Sequence, residues 1–138
     1  MKKYELLNHT ADIGIIAYGR TKEEAFASTA EAMFDLITPI EDIQERTRFD
    51  VEVDAEDLES LLVTWLNELL YIFEVKGLIF KRFEVTLIGN GQLISHCYGE
   101  KYDSKKHVIQ RYIKAVTYNL LKIESQGDKW YIQVVFDI

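Results

Sequence analysis

The chain has 138 residues, a length that suits one domain burying about two-thirds of its unfolded surface, so a packed core needs no covalent staples. It carries 23 acidic against 16 basic residues, a net charge of −7, which opposes strong direct nucleic-acid binding unless a local basic patch escapes the average. The lone Cys97 excludes an intrachain disulfide and a cysteine-built zinc cluster; no apolar run reaches the ~20 residues that span a bilayer, and no signal-peptide pattern opens the chain. A single cytoplasmic domain over residues 1–138, with no membrane partner, is the expectation.

In chain order, Tyr4 to Leu7 and Ile13 to Tyr18 read as strands, the second rich in β-branched residues and ended by Gly19. Thr21-Lys22-Glu23-Glu24 is a capping box, and Phe26, Ala30, Met33, Phe34 and Ile37 recur at helical spacing until Pro39 closes the element. Phe49, Val51 and Val53 alternate with Asp50, Glu52 and Asp54, the pattern of a half-buried strand. Asp54 is expected to cap a second helix, whose wide apolar stripe runs from Leu58 through Leu61, Leu62, Trp65, Leu66 and Leu69 to Phe73, with Gly77 as its stop.

Leu78 to Phe80 reads as extended, and Phe83 to Ile88 pairs with Leu93 to Tyr98 through the tight turn Gly89-Asn90-Gly91. Gly99 to His107 is expected to be a polar loop. His107 to Tyr118 carries both helical and strand signals and stays open between them. Leu121 to Glu124, a turn at Gln126-Gly127-Asp128, and Trp130 to Phe136 read as a closing hairpin. The predicted class is α+β: an antiparallel-rich sheet with two amphipathic helices packed on one face.

Two carboxylates stand out because each sits against strand-like apolar sequence. Asp12 lies in His9-Thr10-Ala11-Asp12-Ile13-Gly14; Asp137 lies in Val134-Val135-Phe136-Asp137-Ile138. If the two strands are neighbours, Asp12, Asp137 and the α-carboxylate of Ile138 converge. Such a set of hard oxygen donors favours Ca²⁺, Mg²⁺ or Mn²⁺ over softer ions. Read singly, Asp12 is equally at home in an Asx turn and Asp137 at a frayed end. His9 is either a ligand or a hydrogen-bonded loop residue, Glu68 lies on the margin of the second helix's stripe, and Lys114 precedes an apolar run. No P-loop, dinucleotide fingerprint, nucleophile elbow or zincin motif occurs.

Taken together, five segments resemble the archease family: His9-Thr10-Ala11-Asp12-Ile13-Gly14, the helix Leu61-Leu62 to Trp65-Leu66-Asn67-Glu68-Leu69-Leu70, Gly99-Glu100 with His107, Lys114-Ala115-Val116-Thr117-Tyr118, and Asp137-Ile138. The likeness covers essentially the whole chain in order. It departs at Asn119, where a histidine commonly follows the Thr-Tyr pair. The resemblance implies a protein cofactor, not itself an enzyme, of the RNA ligase that joins 2′,3′-cyclic-phosphate or 3′-phosphate ends to 5′-hydroxyl ends in tRNA splicing and RNA repair. Such a cofactor promotes the ligase–guanylate intermediate and multiple turnover. It also implies a calcium-type site on Asp12, Asp137 and Ile138, with His9, Glu68 and Lys114 as candidates for contact with the ligase. Two other readings compete: a metal-dependent hydrolase using the same carboxylates, and a general chaperone or interaction module.

Overall fold

The computed structural model describes residues 3–8 and 12–138. Among these residues, seven strands and two α-helices follow the order β1 (Tyr4–Asn8), β2 (Asp12–Gly19), α1 (Lys22–Ile37), β3 (Thr47–Asp54), α2 (Leu58–Tyr71), β4 (Leu78–Gly89), β5 (Gln92–Lys101), β6 (Ala115–Gln126) and β7 (Lys129–Asp137). The α+β class holds. The strands divide into two sheets rather than one, both wholly antiparallel: a four-stranded sheet in the order β1-β2-β7-β6, and a three-stranded sheet in the order β3-β5-β4. Each helix touches both sheets, α1 through β2 and β4, α2 through β6 and β3. The helices therefore join the two sheets into one core.

The apolar stripes account for this packing. Phe26, Ala30, Met33, Phe34 and Ile37 on α1, and Leu61, Leu62, Trp65, Leu66 and Leu69 on α2, are all buried. The Phe26 and Trp65 rings stack, and Phe34 meets Phe80 edge to face. A buried polar chain ties α2 to the smaller sheet: Trp65 Nε1 donates to Ser95 Oγ at 2.9 Å, and Ser95 Oγ donates to the Val51 carbonyl at 3.0 Å. Polar groups taken out of water this way need partners, and these have them.

Element ends follow local chemistry, with two corrections. Thr21 caps α1 by accepting the Glu24 amide, but Glu24 reaches back to the Arg20 amide at 2.8 Å. The cap of α2 is Asp57, which accepts the Ser60 amide at 2.8 Å, and not Asp54, which ends β3. The helix then widens into one π-helical turn, Ile72–Lys76, before left-handed Gly77 stops it. Asn90 and Gly91 both adopt positive φ, the requirement of the two-residue turn that matches strand twist, so β4 and β5 pair from Gly89 and Gln92 outward.

The open question over 107–118 has a physical answer. Residues 107–114 are neither helix nor strand, and polar groups of 108–111 are spent on the C-terminal end of α1. Gln110 donates its amide to the Ile37 carbonyl (2.7 Å), Arg111 Nη1 donates to Leu36 (3.3 Å), and Thr38 Oγ1 donates to Val108 (2.6 Å). Carbonyls at the end of a helix lack intrahelical donors, and this strap supplies them. Ile113 is buried, which pins the strap just before β6 begins at Ala115.

Candidate functional site

Asp12 opens β2 and Asp137 closes β7, and the antiparallel register sets them directly opposite each other. Opposed residues in such a ladder project from the same face, with Cα atoms about 5 Å apart. β6 extends the row on the other side of β7: Ala115 is the register partner of Asp137, and the Lys114 amide donates to the Asp137 carbonyl at 2.7 Å. The next row inward, Ile13, Phe136 and Val116, faces the core, with Phe136 and Val116 buried. Asp12, Asp137 and Ala115 thus lie across the end of the larger sheet on its outer face. Asp12 is half-buried there; Asp137 and the adjoining Ile138 are exposed.

Like charges directly opposite each other weaken a ladder by about 0.2–1 kcal/mol. A divalent cation turns that cost into attraction, and an all-oxygen donor set is what Ca²⁺ or Mg²⁺ takes. The side chains alone make an incomplete cage: among the described residues, no group of three or more His, Cys, Asp or Glu could hold a metal. An ion held by Asp12 and Asp137 would therefore need backbone, Ile138 or water oxygens to reach six or more ligands.

The other sequence candidates separate. Lys114 is exposed and adjoins the carboxylate row through its backbone. Glu68 is exposed on the flank of α2. His9 lies outside the described residues. Beside Glu68 on α2 stands a residue that sequence reasoning leaves without a role, Asn67. Its Oδ1 accepts the Val116 amide at 2.9 Å, and its Nδ2 donates to the Val116 carbonyl at 3.4 Å. One α2 side chain therefore pairs with the edge of β6 as a strand would. The signal was present: a polar residue set between Leu66 and Leu69 of an apolar stripe.

Glu100 and His107 form a second, separate cluster. The expectation of a polar loop from Gly99 is corrected, since β5 continues to Lys101 and Glu100 is only 5 % exposed. Gly99 permits this: a Cβ there would fall 1.9 Å from the Ile79 carbonyl oxygen on β4. Lys106 Nζ reaches both Glu100 oxygens at 2.8 Å, the Gln44 amide donates at 2.8 Å, and His107 Nε2 lies 3.0 Å away. Burial alone would raise the Glu100 carboxyl; the contacts from Lys106, Gln44 and His107 outweigh it and bring it down to about 2. His107 Nδ1 accepts the Asp103 amide at 2.9 Å, so Nε2 carries the proton and donates to Glu100. His107 closes the turn that starts at Asp103, its own amide donating to the Asp103 carbonyl at 2.7 Å.

Cys97 is fully buried, and burial pushes its thiol up to about 12 despite the Ser95 hydroxyl beside it. His96 projects to the other face, with Nδ1 2.7 Å from Asp50 Oδ1. The two make no nucleophile–base pair. No helix among the described residues is long and apolar enough to cross a membrane.

Known proteins resemble this chain along its length. The model of the Archease protein family matches residues 4–138. The chain is 45% identical to a protein archease of Pyrococcus furiosus, with 100% of both chains covered, and 47% identical to one of Methanosarcina barkeri, over 99% of this chain and 97% of the relative. The solution structure of Methanobacterium thermoautotrophicum protein 1598 superposes with a TM-score of 0.87 at 32% identity, covering 100% of both chains. A crystal structure from Thermotoga maritima, described as an archease and possible chaperone, gives 0.65 at 25% identity over 96% and 94%.

Proposed function

This chain belongs to the archease family, and on that premise we propose that it is a non-catalytic cofactor of an RNA ligase, promoting ligase guanylylation and multiple turnover. The ligase is the one that joins 2′,3′-cyclic-phosphate or 3′-phosphate ends to 5′-hydroxyl ends, and both proteins act in the cytoplasm. The observation that carries the reading is the placement of Asp12 opposite Asp137 at one exposed end of the larger sheet.

Asp12, Asp137 and Ile138 would hold a divalent cation, calcium by preference, with Mg²⁺ or Mn²⁺ as substitutes. Bound there, the ion would supply positive charge and open coordination positions at a protein surface. The chain's own part is to fix two carboxylates on paired strands, so that little rearrangement is needed when the ion or the partner arrives. Lys114 adjoins the row, and Glu68 lies on the helix flank next to Asn67; both are offered to the ligase, as is His9. A net charge of −7 steers the domain toward a basic, RNA-handling surface and away from RNA itself.

The deciding experiment is ligase turnover with RNA in excess over ligase, with and without this protein. Wild type is expected to convert a single-turnover reaction into a multiple-turnover one, and Asp12→Ala and Asp137→Ala to lose that stimulation while staying folded. Equal stimulation by both variants would remove the metal from the mechanism. The description of the Thermotoga maritima relative as a possible chaperone favours a second reading, a general interaction module. That reading requires suppression of aggregation in unrelated client proteins, unaffected by a chelator.

A further inference from the structure

We propose that the cavity between the start of β3, the end of β5 and the 102–107 turn binds a phosphate dianion, free or as the phosphate of a nucleotide. It is distinct from the carboxylate row, which lies on the other sheet. The cavity is open to solvent, about 790 Å³ in volume, and Arg46, Thr47, Lys101, Ser104 and Lys106 line it around Glu100.

The local charge runs against that of the chain. In a protein of net charge −7, three cations face this cavity against two acids, Glu100 and Asp103. Asp103 is partly spent, its Oδ1 accepting the Lys105 amide at 2.9 Å. Glu100 lies beneath the cations. Lys106, set 2.8 Å from both of its oxygens, is sufficient to neutralise it, so the positive charge of Arg46 is surplus.

Glu100 also orders the cations before any ligand arrives. Arg46 Nε lies 3.2 Å from Glu100 Oε1, and its Nη2 donates to Gln44 Oε1 at 2.6 Å. That ion pair and the single hydrogen bond restrain the guanidinium while the side chain stays 66% exposed. Of its five N–H groups, one is used in a hydrogen bond, to Gln44, and four remain for a ligand. Ordering a long side chain opposes binding, and these contacts lower that cost before a ligand arrives. A planar guanidinium fork beside an ammonium group suits a multi-oxygen dianion better than a single carboxylate. The Ser104 hydroxyl at the rim adds a neutral donor.

The test is an amide NMR titration of the full chain at constant ionic strength, with inorganic phosphate in one arm and adenosine monophosphate in the other. Saturable shifts confined to Arg46, Thr47, Lys101, Ser104 and Lys106 are expected. Arg46→Gln should weaken binding about tenfold or more, the loss of a charge-assisted pair. Lys101→Gln should weaken it by a smaller factor, and Lys122→Gln, on β6, should leave it unchanged. Equal affinity in both arms identifies the phosphate group alone as the ligand; tighter binding of the nucleotide extends the site to its sugar or base. Shifts that fail to saturate, that spread over lysines elsewhere, or that persist unaltered in Arg46→Gln would overturn the proposal.

Discussion

Asp12 and Asp137, near opposite ends of the chain, are register partners across β2 and β7. The strand ladder sets them opposite each other, so the pair is built by folding and does not exist in the unfolded chain. An ion that binds only the folded state stabilises it by mass action, about 2.7 kcal/mol at a hundred times its dissociation constant. For a domain of this size that is a rise in Tm of about 10 °C. Wild type melted in saturating Ca²⁺ is expected to show such a rise over a chelated sample. Asp12→Asn and Asp137→Asn should show little or none. A rise that survives in both variants would place the ion elsewhere.

Asn67 is expected to position that pair from a distance. β6 holds its register with β7 only from Ala115 to Thr117 before a bulge interrupts it until Lys122, and Leu120 inside the bulge adopts a positive φ of 58°. The short paired stretch is therefore braced on its outer edge by the Asn67–Val116 hydrogen bonds. Asn67→Ala leaves the Val116 amide without that acceptor, at a cost of about 1–3 kcal/mol. Denaturant unfolding measures the loss, and hydrogen exchange should quicken at Val116 ahead of the amides of β2. Unchanged exchange at Val116 would show that the brace is dispensable.

Periodicity made the helices and most strands legible. Phe26 to Ile37 and Leu61 to Leu69 bury the faces their spacing marks, and Phe49, Val51 and Val53 face inward against Asp50, Glu52 and Asp54. The Asp12–Asp137 juxtaposition stands in the sequence only as a condition, since apolar runs reach both residues without naming their neighbours, and the β2–β7 register meets it. What sequence could not supply were choices made by tertiary partners. The strap over 107–114 spends polar groups of 108–111 on α1, and no local signal announces that. Glu100 reads as a loop acid because its partners, Gln44, Arg46 and Lys106, come from two separate segments. The division into two sheets was likewise hidden, because strand patterns name a buried face but not a neighbour.

Cys97 provides a direct check on the core. The thiolate is the reactive form, and burial lifts this thiol to about 12. Native protein at pH 8 is expected to resist alkylation by iodoacetamide over hours. Urea-unfolded protein should react within minutes, with the rate of an ordinary cysteine. Rapid labelling of the native state would mean that β5 opens locally.

Glu100 should dominate part of the acid unfolding limb. Its carboxyl titrates at about 2 in the folded chain against an ordinary value of 4.5. The folded value is the lower one, so its stabilisation is complete above about pH 4.5 and is lost as pH falls through that window toward 2. Glu100→Gln keeps one acceptor oxygen but cannot ionise, leaves Lys106 without its counter-charge and removes the ion pair to Arg46. Breaking a wholly buried ion pair costs about 3–5 kcal/mol. Here the cations keep much of their water, with side chains 34% and 66% exposed, so about 1–3 kcal/mol at pH 7 is the expected loss. The gap between wild type and variant, measured by urea unfolding at pH 7, 4.5 and 3, should hold from 7 to near 4.5 and then narrow. A gap of constant width down to pH 3 would mean that the charge of Glu100 contributes nothing, and that only its shape and neutral hydrogen bonds hold the 102–107 turn in place.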